Sequence, residues 1–183
     1  MINSSKIKLF FAGLSLLMFV GASVRAAGIE PKDTIIVKGN AYLHVTIKAL
    51  IGVENNDALI VVTMDSARVA SFRTDKSKGH IDFKVPFGHV YQISVEKDGY
   101  YAKFTTIDTH IPPKFEKNKY DLSFDIELLK YVKGVDPSVL YQPLQLIVFH
   151  IKKQVFVVDE DYISSLKEDL EKFRKEYELM KNN

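Results

Sequence analysis

Thr74-Asp75-Lys76-Ser77-Lys78-Gly79-His80-Ile81-Asp82-Phe83-Lys84-Val85-Pro86 and, shortly after, Tyr91-Gln92-Ile93-Ser94-Val95-Glu96-Lys97-Asp98-Gly99-Tyr100 form two turn-and-strand units in succession. Residues 74–79 are polar and end in Gly, which is a turn signal. Ile81, Phe83 and Val85 alternate with Asp82 and Lys84, the period of a strand with one wet face. Tyr91, Ile93 and Val95 alternate with Gln92, Ser94 and Glu96 in the same way, which points Tyr91 inward. Lys97-Asp98-Gly99-Tyr100 then turns the chain again. Gly79 and Gly99 are predicted to supply positive φ, and Asp75 and Asp98 to bond nearby amides.

The same pattern extends outward on both sides. Leu43, Val45, Ile47 and Ala49 share one face of a strand, with His44, Thr46 and Lys48 on the other. Ala58 to Met64 is continuously apolar, which suits a central strand. Val69 to Arg73 is a short strand, and Ala102, Phe104 and Thr106 follow at strand spacing. A polar loop carries Pro112 and Pro113. Leu122, Phe124, Ile126 and Leu128 then alternate with Asp121, Ser123, Asp125 and Glu127. Seven strands in residues 41–130, with turns at short spacing, predict a mainly β chain: a seven-stranded antiparallel sandwich. No helical segment separates the strands, which argues against a parallel α/β sheet.

Residues 131–183 read differently. Pro143 to Phe149 and Gln154 to Val158 suit a hairpin. Asp159-Glu160-Asp161 suits a helix start, where acids complement the dipole. Ile163, Leu166, Leu170, Phe173, Tyr177 and Met180 recur at steps of three and four, an apolar stripe on a C-terminal amphipathic helix. That stripe either lies on the chain's own sandwich or is a partner-binding face.

The motifs between Val37 and Leu129 resemble the carboxypeptidase regulatory-like domains, a transthyretin-like (prealbumin-like) β-sandwich group. These domains carry a Thr-Asp-x-x-Gly turn followed by a Tyr-x-apolar-x-apolar-x-Lys-x-Gly-Tyr hairpin. The present turn has one extra residue before Gly79. Ile107-Asp108-Thr109, Phe124 to Leu129 and Pro143 are similar to stretches in exported proteins of Gram-negative bacteria. The resemblance covers about half the chain, and its motifs speak to fold more than to function.

Lys6 and Lys8 precede an apolar run from Leu9 to Gly21, and Val24 and Ala26 are small enough for signal peptidase. Residues 1–26 are therefore expected to be a cleavable signal peptide, and 27–40 an N-terminal segment. The run is shorter than the about 20 residues a membrane span needs. Cleavage removes Lys6, Lys8 and Arg25 and no acid. That leaves 22 Lys+Arg against 23 Asp+Glu, so the formal charge moves from +2 to −1. Nucleic acid is thus not an expected partner. The chain has no Cys, which removes disulfides, thiol catalysis, thiolate metal sites and a lipid-modified cysteine.

Chemistry-bearing motifs are sparse. His44, His80, His89, His110 and His150 show no metal-ligand spacing, and no Gly-x-Ser-x-Gly, P-loop or dinucleotide fingerprint occurs. Some transthyretin-like proteins hydrolyse 5-hydroxyisourate and end in Tyr-Arg-Gly-Ser, but this chain ends Met180-Lys181-Asn182-Asn183. No catalytic residue, metal or cofactor is expected. The leading expectation is a non-enzymatic, exported structural or protein-interaction module at the periplasm or outer envelope, with an envelope protein on the helix stripe. A small-ligand or glycan binder, with Tyr100 and Tyr101 at a loop tip, is the second. A hydrolase with a dispersed site is the third.

Overall fold

β1 (Tyr42–Leu50) follows its alternation, with Leu43, Val45, Ile47 and Ala49 fully buried. The computed structural model describes residues 41–51, 57–74 and 80–182. The expected signal peptide, the segment 27–40 and the turn at 75–79 with Asp75 and Gly79 lie outside them. After β1 come β2 (Leu59–Met64), β3 (Ala67–Arg73), β4 (His80–Val85), β5 (Val90–Glu96), β6 (Lys103–Asp108) and β7 (Lys119–Glu127). A 3-10 helix (Ser138–Tyr141), β8 (Gln145–His150), β9 (Val155–Val158) and α1 (Glu160–Lys181) complete the order.

The chain is mainly β, with a three-stranded sheet β4-β1-β7 and a six-stranded sheet β3-β2-β5-β6-β8-β9. Their inner faces share one core. Leu43, Val45, Ile47 and Val85 come from the first sheet, and Ile60, Val62, Tyr91, Ile93, Ile107 and Ile147 from the second. The architecture is sandwich-like. β2 lies between β3 and β5, with Ile60, Val61 and Val62 buried, and Tyr91 is fully buried. Gly99 takes φ +78° at the turn before Tyr100.

Two expectations need correction. The sheets are not wholly antiparallel, because β1 pairs with β7 and β6 with β8 in parallel. Alternation records which residues face in, not strand direction, and both pairs are joined by connections long enough for a parallel crossover. In residues 131–183, β8 and β9 form a hairpin that extends the six-stranded sheet. On β6 the inward residues are Lys103, Thr105 and Ile107, one step out of phase with Ala102, Phe104 and Thr106. Polar residues occupy two of those inward positions and hide the apolar phase.

Among the described residues no helix is long and apolar enough to cross a membrane.

Candidate functional site

The turn at Gly99 is tied to the strand-end at 129–131 by two main-chain hydrogen bonds that form one antiparallel bridge. Tyr101 N donates to Leu129 O at 2.9 Å, Tyr131 N donates to Gly99 O at 2.8 Å, and Tyr100 bridges Lys130. Successive residues of an extended chain point to opposite sides. Tyr100 is therefore half-buried against the main core, while Tyr101 points the other way and is 6% exposed. Tyr101 is thus not a loop-tip residue. Its hydroxyl donates to Val132 O at 2.9 Å, and its ring meets Phe173 edge-on at 5.7 Å. Burial holds this phenol above its ordinary pKa, with the Val132 bond acting the other way.

The stripe on α1 closes over that ring. Asp159 caps the helix by accepting from Tyr162 N at 3.0 Å, as acids at a helix start allow. Leu166, Phe173 and Tyr177 are buried, and Ile163 and Leu170 half-buried. Phe173 and Tyr177 join Tyr101, Val135, Val139 and Leu140 in a second, smaller core. Met180 is 41% exposed, with its Cε lying over Gly134. Three of the six stripe residues are therefore covered by the chain itself.

An open groove adjoins this second core at Tyr101 and Leu140. Its floor is Tyr101, Ala102, Phe104, Pro137 and Leu140, and its rim is Tyr100, Tyr131 and Tyr141. The groove encloses about 380 Å³. Tyr131 is 58% and Tyr141 75% exposed, so both rings present a face to solvent.

A second depression of about 510 Å³ adjoins the groove and shares Tyr100 and Ala102 with it. Its other walls are charged: Asp57, Arg73, Glu96, Lys97 and Asp98. Arg73 and Asp57 are paired at 3.7 Å, and Lys97 Nζ sits 5.6 Å from the Tyr100 ring centroid. Aromatic faces and hydrogen-bonding side chains thus run continuously across Tyr100. Tyr131 and Tyr141 were not visible as site residues in the sequence, because they lie in a tail whose role is set only when α1 docks.

The histidines form pairs elsewhere. His89 Nδ1 is 2.6 Å from Asp65 Oδ2, and His110 Nδ1 is 2.6 Å from Asp108 Oδ1. His44 lies 3.0 Å from Asp121 on the outer face of the three-stranded sheet. Thr109 Oγ1 holds the main chain of His89: it donates to His89 O at 2.7 Å and accepts from His89 N at 3.1 Å. Among the described residues no group of three or more His, Asp or Glu converges to hold a metal ion.

No protein-family profile matches the chain, and no curated protein does. Solved structures similar to it include 3-chlorocatechol 1,2-dioxygenase from Rhodococcus opacus 1CP (11% identity, TM-score 0.36). The alignment covers 54% of this chain and 63% of that one. S.CueP is 12% identical with TM-score 0.36, over 51% of this chain and 67% of that one. Catechol 1,2-dioxygenase from Acinetobacter sp. ADP1, inhibited by bound mercury, is 15% identical with TM-score 0.40, over 61% and 60%. Likenesses this distant carry no argument about fold or function.

Proposed function

We propose that this chain is a non-enzymatic binding module exported to the bacterial cell envelope, and that its ligand is a glycan held in the tyrosine groove. The observation that carries this reading is the pair of exposed rings Tyr131 and Tyr141, with half-buried Tyr100 between them and a charged depression. A sugar ring has one apolar C–H face and a rim of hydroxyls. The C–H face is attracted to the negative face of an aromatic ring. The hydroxyls hydrogen-bond to carboxylates and guanidinium groups such as those of Glu96, Asp98 and Arg73. Lys6 and Lys8 before the apolar run Leu9 to Gly21 support export. On the strength of its turn motifs we read the sandwich as transthyretin-like, of the carboxypeptidase regulatory-like kind.

A structural or protein-interaction role keeps one observation in its favour. Leu179 and Met180 are 69% and 41% exposed at the end of α1, so an envelope protein has an apolar helix end to meet.

An array of soluble oligosaccharides, followed by titration calorimetry on the best ligand, tests the glycan reading. The expected outcome is binding that falls at least about tenfold, worth about 1.4 kcal/mol, in Tyr131→Ala and Tyr141→Ala. The melting temperature should stay put in Tyr141→Ala, whose ring is 75% exposed. An array silent for neutral and acidic sugars alike would sink the idea.

A further inference from the structure

We propose that the six-stranded sheet continues into a second copy of this chain, by antiparallel pairing of β9 with β9 across a two-fold axis through Val157. Sheet edges recruit other strands unless charge, bulges or a covering element stop them. Three of the four edges here are guarded. β3 carries Arg68 and Arg73, and its pairing with β2 is bulged at Val62/Thr63. β4 carries Asp82 and Lys84, and β7 carries Lys119, Asp121, Asp125 and Glu127. β9 reads Val-Phe-Val-Val, and among the described residues no strand lies beyond it.

The main chain of β9 is set for such pairing. Asp159 N donates to Leu146 O at 2.8 Å across the β8–β9 ladder. Alternation then aims Val157 and Val155 at β8 and turns the N–H and C=O groups of Phe156 and Val158 outward. An axis through Val157 sets Phe156 opposite the second copy's Val158, and it is the one antiparallel register in which all four outward groups of each copy are paired. Val155 is 43% exposed and Ile151, at the adjoining turn, 56%, so an apolar strip accompanies the edge.

The flanking charges select a second copy as the occupant. Lys152 and Lys153 precede β9, and Asp159, Glu160 and Asp161 follow it. Lys153, Val157, Val158 and Asp161 line one open depression, so both charged ends reach the same surface. Antiparallel self-pairing sets the basic end of each copy against the acidic end of the other, twice by symmetry. Parallel pairing would set like against like.

The full chain, purified and followed by sedimentation velocity over about a hundredfold concentration range, should show a reversible monomer–dimer equilibrium. Lys153→Glu and Asp161→Lys should each weaken the dimer at least about tenfold, and the double variant should restore it. Val157 pairs with itself without main-chain bonds, at a Cα separation of about 4.5 Å that a disulfide can bridge. The chain has no other Cys. V157C should therefore cross-link on mild oxidation far faster than V155C, which does not face its own copy. Melting curves confirm that each variant is folded. A monomer throughout, equal cross-linking of V157C and V155C, or a dimer indifferent to the charge variants would each overturn the proposal. The last would assign the dimer to another surface.

Discussion

Asp65 concentrates more local consequence than any other side chain in the sandwich. It and Ser66 form a two-residue turn between β2 and β3, with φ of 48° and 72°. Neither is glycine, although hairpins of this length favour Gly where φ is positive. The carboxylate explains how the geometry is held. One oxygen accepts from Val90 N at 3.0 Å, and the other meets His89 Nδ1 at 2.6 Å. These contacts, the amide bond first and the His89 bond second, hold the carboxyl below its ordinary value of 3.8. The stabilisation is therefore present above pH 3.8 and fades as pH falls through the lowered value. An NMR titration of the Asp65 carboxyl should give a midpoint below 3.8. His89→Ala should move it part of the way back, leaving the share due to Val90. A midpoint unmoved by H89A would contradict the pairing. Nothing in the sequence singles out this residue: Asp-Ser is a weak hairpin signal, and the partner amide is 25 residues away.

At the scale of the element, α1 is the clearest case of a pattern legible in sequence whose partner is not. The three-and-four spacing and the Asp159 cap follow from the residues alone. The same stripe would suit a self-docked helix or a helix seeking another protein. Tyr101 decides between them, and a neighbouring glycine turn made it look like a tip. Phe173 sits against Tyr101 and stacks on Tyr177 at 6.0 Å. Phe173→Ala should cost about 3–5 kcal/mol in urea unfolding, by loss of burial plus the cavity left behind. A cost below about 1 kcal/mol would mean that α1 does not dock where Tyr101 lies. β6 shows the converse failure. Its inward phase was illegible because Lys103 and Thr105 occupy it, and only the sheet's register reveals that they face the core.

Lys103 ties the behaviour of the whole molecule to pH. Its ammonium donates to Glu127 O at 2.5 Å, joining the two sheets, and burial lowers its pKa from 10.5, with Glu127 opposing. A lysine with a depressed folded value binds its proton more weakly than in the unfolded chain. Stability therefore rises with pH between that folded value and 10.5. The buried phenols of Tyr91, Tyr101 and Tyr177 act oppositely, since burial raises each above 10.0 and stability falls once pH passes that value. Urea unfolding of the wild type should thus strengthen as pH rises from the lowered Lys103 value toward 10 and weaken beyond it. Lys103→Met should flatten the rising limb and leave the falling one. A rising limb that survives K103M would assign the effect to another group.

The parallel pairing of β1 with β7 fixes an order of events for a chain made from its N-terminus. His44 meets Asp121 across 77 residues, and all nine positions of β1 find their β7 neighbours only after Glu127 exists. Local hairpins such as β2–β3 form as soon as they emerge, while β1 keeps an unfilled side until about two thirds of the polypeptide is present. Contacts of such separation close slowly. Until they do, the newborn chain carries an apolar ribbon that must be shielded from its neighbours by a chaperone or by speed.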